Sequence, residues 1–158
     1  MTVLNYLTAL SALCLATGYI DAVSSFYVRA MLQESIEAEE EIVAETIAEQ
    51  MPPRIRTLEQ TRQASLVLVL LIIGIIAGRN GLQQAGTFAF SLGGWIVFRY
   101  ASIRAIIDWP GSLADLDAVI LLPEPVHAPV WMLLLSAVAL TTMGVLLIRT
   151  GALAMRRS

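Results

Sequence analysis

The chain has 158 residues, of which 57% are apolar and 15% charged, with a formal net charge of −3 and a mean hydropathy of +0.72. Soluble domains hold roughly 45–50% apolar and about 25% charged residues, so this composition excludes an ordinary water-soluble fold and requires lipid as part of the solvent. All ten basic residues are arginine, which fits a GC-rich bacterial coding bias, and the single cysteine, Cys14, excludes an intramolecular disulfide.

The first apolar segment covers about 3–28. Its opening, MTVLNYLTALSALCLATGYIDA, has the length of a signal peptide but no basic n-region, and Leu13 stands where a lipoprotein box needs a small residue before the cysteine. A retained membrane anchor is expected.

The next stretch, ESIEAEEEIVAE, holds six glutamates in twelve residues. From 32 to 50 there is no glycine or proline, until Pro52 and Pro53 stop the run. At about 100° per residue, Leu32, Ile36, Val43 and Ile47 form one apolar stripe and Glu34, Glu37, Glu41, Glu45 and Glu49 lie opposite. The pattern predicts an acidic amphipathic helix outside the membrane. Its sign is wrong for lying on anionic lipid, which favours Lys and Arg on the polar face. The stripe is therefore expected to contact protein, while Glu37, Glu41 and Glu45 are candidates to attract cations. Calcium needs a loop that wraps it with oxygens, and a straight helix points its carboxylates outward.

Segments 65–78, 82–100 and 130–148 complete a set of four expected spans, with the Asn80-Gly81 turn making a tight antiparallel hairpin of the second and third. Four crossings place both termini on one side, together with Arg79, Arg149, Arg156 and Arg157. All thirteen acidic residues fall on the other side, in or beside the connections 29–64 and 101–129. The positive-inside rule discounts acidic residues. The short, purely basic flanks favour cytoplasmic termini, in a bacterial inner membrane.

Between the third and fourth segments, Trp109-Pro110-Gly111 reads as an interfacial turn. Ser112 with Asp115 reads as a capping box opening a short interfacial helix over 112–122, and Pro123, Pro125 and Pro129 as a rigid lead-in to the fourth span. Trp109 and Trp131 fit interfacial anchors. Asp115, Asp117 and His127, with Glu124, are the weak candidates for a metal, since carboxylates with a histidine make a common ligand set. Capping and solvation explain them as well, and no metal or other cofactor is expected.

Inside the apolar spans the one carboxylate is Asp21. An intramembrane ionisable group marks a functional candidate, and the expected partner is Arg99 or Arg29 at the same end. Small residues at four-residue spacing, Ala12 with Ala16, Gly74 with Gly78 and Ala89 with Gly93, predict close helix packing. No phosphate-binding loop, dinucleotide fingerprint, nucleophile elbow or zinc-helix motif occurs.

The expected object is an all-α integral membrane protein of one domain. It has four transmembrane helices, an acidic amphipathic helix after the first, and a short irregular or helical segment between the third and fourth. The expected function is a non-catalytic subunit that assembles with itself or with a larger membrane complex. The rival expectation is a homo-oligomeric cation channel with an acidic vestibule. The bilayer and other membrane subunits are the expected partners, and nucleic acid is not.

Overall fold

The computed structural model describes residues 3–36, 53–119 and 126–157. Four helices dominate them: α1 (Val3–Ile36), α2 (Pro53–Ala77), α3 (Gly81–Ile107) and α4 (Val130–Arg157). A two-stranded antiparallel ribbon, β1 (Leu116–Val119) with β2 (Val126–Pro129), stands between α3 and α4. Each helix contains a stretch long and apolar enough to cross a membrane, so the chain is a multi-pass membrane protein.

The helices are longer than the apolar segments that mark them. The 34 residues of α1 reach about 51 Å at 1.5 Å per residue, against a hydrocarbon core of about 30 Å. Likewise α2 starts at Pro53, twelve residues before the apolar segment at 65. Hydropathy records where lipid touches the chain, whereas the helix runs on wherever nothing breaks it. Pro53 suits a first helical position, where its missing N–H has no partner to lose.

The α2–α3 turn does not use the positive φ that an Asn-Gly pair takes cheaply. Asn80 is extended, with φ −147°, and its side chain accepts from the Gln83 N–H at 2.9 Å as an N-cap, while no glycine in the described residues has positive φ. At its other end α3 closes on Asp108, in the left-handed region at φ 59°, whose N–H donates to the Arg104 carbonyl at 3.1 Å.

The short helix expected over 112–122 is not what forms. The capping contacts are made: the Asp115 carboxylate accepts from the Ser112 N–H at 3.1 Å, and the Ser112 hydroxyl accepts from the Ala114 N–H at 3.0 Å. They close a single turn, after which Leu116–Val119 becomes extended and pairs with Val126–Pro129. Two forces redirect the chain. Ala128 precedes Pro129 and is pushed to extended backbone. The turn also spends its carbonyls on α4, those of Asp115 and Leu113 accepting the otherwise orphaned N–H groups of Val130 and Trp131, both at 3.0 Å.

Among the helices α3 is central, and the other three pack on it. Glycine sets the approach. A Cβ on Gly86 would sit 2.8 Å from the Ile148 nitrogen, and one on Gly144 would sit 2.7 Å from the Gly86 carbonyl. Gly93 faces Ala137 and Thr141 in the same seam. The positions on α4 that meet α3 (Ala137, Thr141, Gly144, Ile148, Gly151) repeat at intervals of four and three, the spacing of a heptad seam. On α1 the pair Ala12 and Ala16 is exposed, contrary to the sequence expectation. Close contact there belongs to the next face round, where Cys14 meets Gly94 and Gly18 meets the backbone of Phe98 and Arg99. Gly74 of α2 rests on Gln84 and Phe88, Gly78 just past its end rests on Gln84, and Ala89 is buried. Leucine and isoleucine then face outward, Ile76 at 79% and Leu135 at 64% exposure, as lipid contact permits.

These contacts predict that Gly86→Val and Gly144→Val each lower stability by about 1–3 kcal/mol through overpacking. Gly81→Ala, with nothing within 4 Å of its new methyl, should be neutral or stabilising. Thermal unfolding in a mild detergent, followed by circular dichroism, checks all three.

Candidate functional site

The densest polar chemistry in the described residues lies where α1, α2, α3 and the ribbon meet. α1 brings Asp21, 1% exposed, with Ser25 one turn later. α2 brings Glu59, Arg62 and Gln63, which its helical period sets on one face. α3 brings Arg99 and Tyr100, and β1 brings Asp117.

Asp21 bridges two guanidinium groups. One oxygen, Oδ2, stands 2.9 Å from Arg99 Nε, and the other, Oδ1, accepts a hydrogen bond from Arg62. Arg62 also donates through Nε to Glu59 Oε2 at 2.9 Å, and reaches the Ser25 hydroxyl at 3.4 Å. Gln63 donates to the other Glu59 oxygen at 3.4 Å. On the far side of Arg99, Asp117 Oδ2 accepts from the guanidinium at 3.2 Å and from the Tyr100 hydroxyl at 2.6 Å. The Arg99 guanidinium also lies 5.2 Å from the centre of the Tyr100 ring, whose centroid is 6.3 Å from that of Trp109.

Three carboxylates and two guanidiniums thus alternate in one chain, Glu59–Arg62–Asp21–Arg99–Asp117. A charge taken out of water must be paired and hydrogen-bonded to be tolerable, and each member of this chain has an opposite neighbour. Arginine does not give up its proton in proteins, so the guanidinium links carry charge pairing rather than proton transfer. What the chain does is fasten: every link joins residues of different elements except Glu59–Arg62.

The expected pair Asp21 and Arg99 is brought together here, while the side chain of the other candidate, Arg29, lies outside the described residues. Arg62, Glu59 and Asp117 were not assigned to this pairing from sequence. Arg62 and Glu59 fell in a connection rather than a span. The signal that could have found them is the unbroken run from Pro53 to the apolar segment, with Glu59 and Arg62 at i, i+3 on the face that Asp21 would need.

The weak metal set does not assemble. Asp117 is committed to Arg99 and Tyr100, and Asp115 to its own turn. In the ribbon Asp117 pairs with Ala128 and Ala118 with His127, so Asp117 and His127 project from opposite faces. Among the described residues no three His, Cys, Asp or Glu side chains are grouped to hold an ion. Of the acidic segment, Leu32 and Ile36 lie on the last turns of α1 with side chains outside the described set. Val43, Ile47, Glu37, Glu41 and Glu45 lie wholly outside the described residues.

No family model matches the chain, and no curated protein or solved structure matches it either.

Removing the bridging carboxylate takes one counter-charge from two arginines at once, leaving Arg62 on Glu59 and Arg99 on Asp117 and cutting the link between them. Asp21→Asn should therefore cost about 3–5 kcal/mol, as when one partner of a buried pair is removed. Arg62→Gln, whose side chain is 24% exposed, should cost less. A double-mutant cycle between them, by thermal or denaturant unfolding in detergent, should return a coupling of about 1–3 kcal/mol; additive costs would show that the links act separately.

Proposed function

We propose that this protein is a non-catalytic subunit of a bacterial inner membrane, with both termini in the cytoplasm, that assembles with copies of itself or with a larger membrane complex. The observation that carries the proposal is that α1 and α2 both continue as helix past their most apolar runs at the acidic end. α1 continues as helix to Ile36 beyond its apolar span, which ends at Val28, and α2 is helical from Pro53. Just below, Asp21 and Arg62 pin the two helices to each other, and Asp21 and Arg99 pin them to α3.

The segment 37–52, with five more glutamates of the acidic run and the second half of the apolar stripe, is therefore tethered at both ends to braced helices. Such bracing lowers the ordering cost of presenting a contact seam. The stripe of Leu32, Ile36, Val43 and Ile47 is the proposed seam, and its glutamates give the contact a negative rim that repels like-charged wrong partners. The charged groups of the bundle support the same reading. At the acidic end Glu59, Arg62, Asp21, Arg99 and Asp117 are spent on one another rather than on an open cleft.

Ile36→Glu combined with Val43→Glu should release the protein from its partner, or from its own oligomer, while leaving all four spans inserted. Gel filtration and co-purification in mild detergent read the first property, and protease accessibility in membrane vesicles the second. Undiminished assembly of the double variant would show that the stripe is not the contact. A closed homo-oligomer that conducts cations in planar bilayers, and stops doing so when Glu37, Glu41 and Glu45 become glutamine, would replace this reading with that of a channel.

A further inference from the structure

The opposite end of the bundle has a different character. The first turns of α1 and the last turns of α4 leave between them a groove of about 310 Å³, lined by Val3, Leu4 and Leu7 on one side and Arg149, Ala152 and Leu153 on the other. Its walls open outward, with Leu4 73% and Leu153 55% exposed and Arg149 exposed between them.

The depth of the groove follows from one hydrogen bond. Asn80, in the α2–α3 turn, donates its side-chain amide to the Gly151 carbonyl at 3.0 Å. That turn is where two spans leave the bilayer, so Gly151 lies at the membrane surface of this end. Arg149 is two residues before Gly151, about 3 Å along the axis toward the bilayer, and therefore sits close to headgroup level, with Leu4 and Leu7 of α1 running inward from the mouth of the groove and Leu153 at its outer edge.

The charge at this end has one sign. Arg79, Arg149, Arg156 and Arg157 belong to it, whereas the described carboxylates Asp21, Glu59, Asp108, Asp115 and Asp117 all belong to the other end. A zwitterionic headgroup would bring an ammonium into this field with none of the described carboxylates at this end to receive it. An anionic headgroup meets only attraction, the setting in which basic pockets between membrane helices take acidic lipids.

We propose that the groove is a binding site for one anionic glycerophospholipid, its phosphate on Arg149 and an acyl chain lying along Leu4 and Leu7, with Leu153 closing the outer edge. The site is independent of the assembly seam at the acidic end. The lipid would staple the start of α1 to the end of α4, two helices that otherwise touch little.

Full-length protein in dodecylmaltoside, titrated with dioleoylphosphatidylglycerol or dioleoylphosphatidylcholine and analysed by native mass spectrometry, tests this. The anionic lipid should be retained roughly fivefold over the zwitterionic one, the worth of one arginine at an anionic surface. Arg149→Gln should bring the ratio close to one, and Arg104→Gln, at the other end, should leave it unchanged. The wild-type protein supplies a measurement that needs no variant. Its preference should decay between about 0.1 M and 1 M salt, as the screening length falls from about 10 Å to about 3 Å. Equal retention of the two lipids, a preference that survives Arg149→Gln, an equal loss with Arg104→Gln, or indifference to salt would each overturn the assignment.

Discussion

A single carboxylate that answers two guanidiniums governs how this protein holds together. Asp21 lies within an apolar helix, where an unpaired charge is costly, and its two oxygens face arginines from two other helices. Lipid offers no hydrophobic drive to bring membrane helices together, because its tails are as apolar as leucine. Packing and polar contact have to do it. At the acidic end the polar contact is the chain Glu59–Arg62–Asp21–Arg99–Asp117, and it recruits α1, α2, α3 and the ribbon in one connected set.

Toward the other end the means change. There α3 and α4 approach through Gly86, Gly93 and Gly144, where a methyl group would already collide, and the cohesion is van der Waals contact over a long small-residue seam. A few neutral hydrogen bonds supplement it: Tyr6 shares one of 2.6 Å with Thr87, and the Cys14 thiol points at the Ser91 carbonyl at 3.6 Å. The molecule is thus charged and braced at one end, close-packed through its middle, and basic and open at the other.

How much of this could be read from sequence depended on whether the cause was local. The four spans follow from hydropathy alone, since length and apolar content are local quantities. Asp21 and Arg99 stood out because each is a charge near the same end of an apolar run. Arg62 and Glu59 did not, because hydropathy ends the second span at 65 and says nothing of a helix that continues through polar residues to Pro53. The ribbon was hidden for another reason. Ser112 and Asp115 do form helix-capping bonds, but whether the next residues coil or extend is decided by a partner strand and by α4, which takes the turn's carbonyls. Likewise Ala12 and Ala16 have the spacing of a packing motif, and only the orientation of α1 shows that Cys14 and Gly18 occupy the contact.

The ribbon carries a mechanical consequence. Its first strand is bolted to α3 through Asp117, on Arg99 and Tyr100, and the turn before it is bolted to α4 through the carbonyls of Leu113 and Asp115. It therefore acts as a strut across the angle between those two helices. α4 cannot tilt or roll against α3 without either parting Asp117 from Tyr100 or uncapping its own first turn, so the ribbon holds at one end the crossing angle that the glycine seam sets along the helices.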